Sequence, residues 1–150
     1  LKQANDMRET VELLKNASTN ASSNEKREMI KEALVLENDY KTKQITASNL
    51  YATFVYDNFS KNRLVINSLI ENLISKPELI SEAIQLNMEA ESFLKLGKEI
   101  REEANAQLTK AAILGEISNA EEKETMAINK QQEIFKTLEF AKTLIFYASN

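Results

Sequence analysis

Glu37 and Gln44, and again Glu124 and Gln131, stand seven residues apart on stripes that are otherwise apolar. Seven residues make two helical turns, so each pair shares one face of a helix. Carboxylates on facing helices are the raw material of acid–base catalysis and of two-metal sites in helical bundles. The chain, however, has no His and no Cys. That removes the Glu-x-x-His ligand set, the triad base and the thiol nucleophile. With two glycines and one proline in 150 residues, a glycine-rich phosphate loop is also absent. The expectation is a protein that is not an enzyme and takes no metal and no cofactor. The same four residues then read as polar layers that fix the register of packed helices, with Lys43 and Lys130 as the nearest cations. The competing reading puts them at the stripe's edge, in water. On the layer reading, leucine at 124 and 131 should hold or raise the melting temperature while the helices align less uniquely.

The elements that carry these residues are helices. Hydrophobic residues make up 43% and charged residues 28%, with a net charge of -4, which fits a folded chain without a basic footprint for nucleic acid. The longest apolar runs, such as Leu144–Tyr147, fall far short of a bilayer span, so this segment is not expected to insert into a membrane. Ala4, Met7, Val11 and Leu14 define a first helix, and the run Asn16–Asn24 a loop whose Ser22, Ser23 or Asn24 caps the next helix. The second helix carries Ile30, Ala33, Tyr40, Ala47, Tyr51 and Phe54 on one stripe. Near Asp57–Ser60 the stripe shifts, which predicts a break there, with helices over 23–58 and 60–74. Ser75-Lys76-Pro77-Glu78 predicts a capped start of a third helix. A turn near Gln107–Thr109, with Thr109 as cap, leads into a last helix with heptads from Ile113 to Ala148.

Within the third helix, large residues (Leu79, Leu86, Phe93, Ile100) and small ones (Ala83, Ala90, Gly97, Ala104, Ala111) recur in parallel rows every seven residues. A small row lets a neighbouring helix approach closely. The aromatics around 51–59 and 135–147 read as core where helix ends converge, with Tyr56 and Tyr147 facing outward as a candidate partner surface.

Sliding the chain by 87 positions aligns Ile30 with Ile117, Ala33 with Ala120, Glu37 with Glu124, Lys43-Gln44 with Lys130-Gln131 and Phe59 with Phe146. This predicts one domain over 1–150 with an internal repeat, roughly 7–59 and 94–146, of the kind that builds helical arrays. The run Asn87–Ala104 and the run from Ala120 through Gln131 resemble the long helical-hairpin, tetratricopeptide-like repeats of large Bacteroidetes cell-envelope proteins. The standard tetratricopeptide signature is missing. The resemblance implies a helical scaffold in the periplasm or cell envelope. The fold expected from the residues is all-α: an elongated antiparallel bundle of long helices, able to form part of a repeat array. The function expected is a non-enzymatic structural module whose partners are proteins or further copies of the repeat. The alternative is an extracytoplasmic four-helix sensory or ligand-binding domain.

Overall fold

The computed structural model describes the backbone of residues 1–20, 22–107 and 110–149, and their side chains except those of residues 20 and 110–112. The chain is all-α, with α1 (Lys2–Ala17), a single 3-10 turn (Ser18–Asn20), α2 (Ser23–Leu73), α3 (Pro77–Ala106) and α4 (Lys110–Ser149). No strand occurs among the described residues.

The boundaries follow from local chemistry. Ser22 caps α2 through a reciprocal box: its hydroxyl accepts from the Glu25 N–H, and the Glu25 carboxylate accepts from the Ser22 N–H. The start of α3 differs from the expectation. Ser75 lies in the turn and does not cap; Lys76 takes the cap position with no side-chain bond. Proline forces the residue before it out of helical geometry, so the helix cannot begin earlier than Pro77 itself. The expected Thr109 cap lies outside the described residues, as does the side chain of Ala111.

The expected break near residues 57–60 is absent, for α2 runs unbroken over 51 residues, about 75 Å at 1.5 Å per residue. The shift of stripe has another cause. The first part of α2 packs on α1, and the second part packs chiefly on α4. Ala33 serves the first contact, and Ala52, Val55, Phe59, Ile66 and Leu73 serve the second. One helix presents two faces to two neighbours in turn, and its apolar stripe moves where the neighbour changes.

α3 and α4 form the most extensive pair, α2 lies against α4, and α2 meets α3 mainly through side chains, with few close backbone approaches. Among the described residues, α1 touches only α2 and the turn between them. The fold is therefore two antiparallel hairpins, α1/α2 and α3/α4, set along one shared helix. Ala83, Ala90, Gly97 and Ala104 are all buried. Added at Gly97, a Cβ would lie 3.1 Å from the Ala120 carbonyl oxygen, so α4 runs directly across this row. The aromatic residues depart from the expected core placement: Phe59 is buried, but Tyr51, Phe54, Phe140 and Phe146 are exposed. They flank a core that is filled mainly by Ile, Leu and Ala.

The second glycine makes a contrast. Gly115 is exposed on α4, and a Cβ there would meet nothing within 4 Å. Gly115→Ala is therefore expected to stabilise the fold by about 0.5–1 kcal/mol, the difference in helix propensity. Urea unfolding measures this, and a destabilised variant would show that position 115 meets a neighbour.

Candidate functional site

The polar residues that the spacing singled out sit in two different environments. Glu124 and Gln131 on α4 are fully buried. Glu37 and Gln44 on α2 are only partly covered. The two pairs thus do not lie at equal depth, because the second part of α2 covers the α4 pair while nothing described covers the α2 pair from that side.

Around Glu124 the three neighbouring helices meet in one ionic layer. Arg101 of α3 forks onto it, with Nε 3.1 Å from Oε2 and Nη2 2.5 Å from Oε1. The other guanidinium nitrogen, Nη1, donates to Ser48 Oγ at 2.9 Å and to Asn49 Oδ1 at 3.0 Å, both on α2. Tyr56 of α2 donates its hydroxyl to the same carboxylate, and Ser48 donates to Glu121. Asn49 and Asn105 exchange amide hydrogen bonds at the rim. Two turns along, Gln131 donates to the Phe59 carbonyl at 3.0 Å and accepts from Asn62 at 3.2 Å. A buried charge is tolerated only when paired and fully hydrogen-bonded, and this one is. Gly97 makes the room: one turn before Arg101 on the same face, it leaves the space that the Glu124 methylenes occupy, and a Cβ there would lie 2.8 Å from Glu124 Cγ.

Electrostatics follow the geometry. Burial, then the hydrogen bond and charge of Glu124, push the Tyr56 phenol above its ordinary value. Burial pulls the Arg101 guanidinium down, and Glu124 outweighs it, so the net shift is upward. On the first hairpin, Lys15 donates to Glu37 at 3.1 Å and Lys41 lies 3.4 Å from it. The Lys15 hydrogen bond, helped by the charges of Lys41 and Lys15, holds the Glu37 carboxyl below its usual range against the opposing effect of burial.

Several expectations need correction here. Tyr56 does not face outward; it is half-buried with its hydroxyl on Glu124 and Lys98 over its ring. Tyr147 is exposed and packs edge-on against Phe146. Lys130 pairs with Glu89 at 2.8 Å rather than with Gln131 or Glu124, and Lys43 points to solvent. Arg101, Ser48 and Tyr56 complete the layer, and sequence reasoning missed all three in this role. Arg101 continues the seven-residue row Ile80, Asn87, Leu94, two of whose members are buried apolar residues; that spacing was the signal. Among the described residues no three acidic side chains converge to hold a metal ion. What the arrangement does is bond α2, α3 and α4 to one another through a single buried carboxylate and its partners.

The raised Tyr56 phenol has a pH consequence. Unfolded, the phenol loses its proton near pH 10; folded, it keeps it to higher pH, so above that value the unfolded state binds fewer protons and stability falls as pH rises. Tyr56→Phe should cost about 1 kcal/mol at neutral pH for the lost hydrogen bond. The gap between wild type and variant should then narrow above about pH 10. Parallel denaturation curves at pH 8 and pH 11 measure this, and a gap that widens would contradict the assignment.

One further likeness joins the two hairpins. Lys15 and Glu37 are 22 residues apart, and Arg101 and Glu124 are 23 apart. In each hairpin a cation on the first helix reaches a glutamate on the second. A shift of 87 in the second helices carries Glu37 to Glu124 and Gln44 to Gln131, at unequal depths. A shift of 86 carries Ala4 and Val11 of α1, and Ser18 just after it, to Ala90, Gly97 and Ala104, all six of them buried. The first turn is one residue shorter. The chain matches no family model, no curated protein and no solved structure.

Proposed function

We propose that the chain is a non-enzymatic helical scaffold, built from two copies of one hairpin unit, that presents helix faces to protein partners. The observation that carries this reading is α2, a single helix that serves both hairpins and joins a buried ionic layer through Ser48, Asn49 and Tyr56. Polar layers of this kind select one alignment among many, which is what a spacer of defined length requires. Exposed apolar side chains at the end of α4, Phe140, Leu144 and Tyr147, follow helical spacing and supply a face for a partner. The setting in a bacterial cell envelope rests on the resemblance of the helical runs alone. No helix among the described residues is long and apolar enough to cross a membrane. A sensory domain of that kind gathers four helices around one core; among the described residues, α1 packs on α2 and the turn after α1.

Small-angle scattering and site-specific crosslinking test the proposal together. The expected results are a maximum dimension of about 75 Å or more, and protein adducts in the native cell from a photocrosslinker at Leu144 that disappear in Phe140→Asp/Tyr147→Asp. A compact particle, or adducts indifferent to the substitutions, would count against it.

A further inference from the structure

We propose that the uncovered face of the first hairpin seats a third helix, supplied by another copy of the same repeat and running parallel to α2. The inference rests on the repeat reading above and says where and how copies join. In the second hairpin, α4 turns Ile117, Glu124, Gln131 and Leu138 toward a core completed by α2 from Ile45 onward, and α2 runs parallel to α4. A shift of 87 carries those four positions to Ile30, Glu37, Gln44 and Tyr51. The exposures diverge where a covering helix is missing. Ile117 is 3% exposed and Ile30 39%; Leu138 is 0% exposed and Tyr51 59%. Leu34, at the position equivalent to the Glu121 that bonds Ser48, is also exposed.

A second observation lies at the end of that face. A cleft of about 460 Å³ is lined by Gln44 and Tyr51, together with Leu1 and the first turns of α4. At the equivalent place in the second hairpin, Asn62 bonds Gln131, and Ile66 shares one core cluster with Leu138. The covering helix fills there what stays open here. The occupant that fits is a helix with the surface of residues 48–73: small and β-branched residues at the near end, and Phe and Ile beyond. Copies joined this way lie end to end along shared helices, not side by side as in a stacked solenoid.

A synthetic peptide of residues 48–73, added in trans to the full chain, tests this. The expected result is saturable amide shifts in α1 and in residues 30–51 by NMR, with α3 unaffected. Leu34→Asp/Tyr51→Asp should weaken binding roughly tenfold or more. Both side chains are exposed, so the variant should keep its fold, which circular dichroism checks. No shifts at about 1 mM peptide would overturn the proposal. So would equal binding to the variant, or shifts in α3 that report displacement of the chain's own α2. Sedimentation adds one more outcome: a dimer abolished by Leu34→Asp, with no peptide binding, would make the face a symmetric self-contact and overturn the parallel third helix. Each of these failures leaves the scattering and crosslinking tests of the scaffold reading untouched.

Discussion

Arg101→Ala is expected to remove about 3–5 kcal/mol of stability, because it leaves Glu124 charged and buried without its partner. For a chain of this size that lowers the melting temperature by roughly 6–20 °C. The loss belongs to the stranded charge more than to the pair itself. Arg101→Met combined with Glu124→Leu and Tyr56→Phe should therefore recover most of it, to within about 1 kcal/mol of wild type or above it. Ser48 keeps Glu121, and Asn49 keeps Asn105, so the triple variant leaves these polar groups paired. Urea unfolding of the single and triple variants decides the matter. A single-variant cost below about 1 kcal/mol would mean that water already reaches the layer. The same geometry revises the expectation that leucine at 124 is harmless: alone, Glu124→Leu strands the Arg101 guanidinium, and it becomes neutral only when Arg101 is replaced as well.

The second large effect is expected at Gly97. Alanine improves helix propensity by about 1 kcal/mol, yet the new Cβ would lie 2.8 Å from Glu124 Cγ and 3.1 Å from the Ala120 carbonyl oxygen. Neither neighbour can yield. The first belongs to a side chain pinned by Arg101 and Tyr56, and the second is backbone. Gly97→Ala should then destabilise by about 1–3 kcal/mol, and Gly97→Leu by about 3 kcal/mol or more, because overpacking has to push the helices apart. Thermal melts of both, set beside Gly115→Ala, give opposite signs for one chemical change at two glycines. If Gly97→Ala stabilised the fold, α3 and α4 would lie farther apart than described here.

The helices themselves were legible in the sequence, since spacing by threes and fours and the scarcity of glycine and proline leave few other folds. What was not legible depends on which element meets which. The stripe shift near Asp57 looked like a break because a local window cannot distinguish an ending helix from one that changes neighbours. Glu37 and Glu124 looked alike because each stands seven residues before a glutamine on an otherwise apolar stripe. They differ in depth through what lies above them, 48–73 of α2 in one case and nothing described in the other. Arg101 was missed because its partner is 23 residues away across a turn, and nearest-cation reasoning favoured Lys130 instead. The cap expected at Ser22 forms and the one expected at Ser75 does not, since a proline two residues after Ser75 already dictates where the helix can start.

The continuity of α2 has a mechanical consequence. Between Ser23 and Leu73 the helix contains no glycine and no proline, the residues at which helices usually kink. Reorientation between domains needs a few positions that absorb large changes in backbone dihedral, and this span has no such sequence feature. With no such hinge, the two hairpins are expected to move together along one continuous helix.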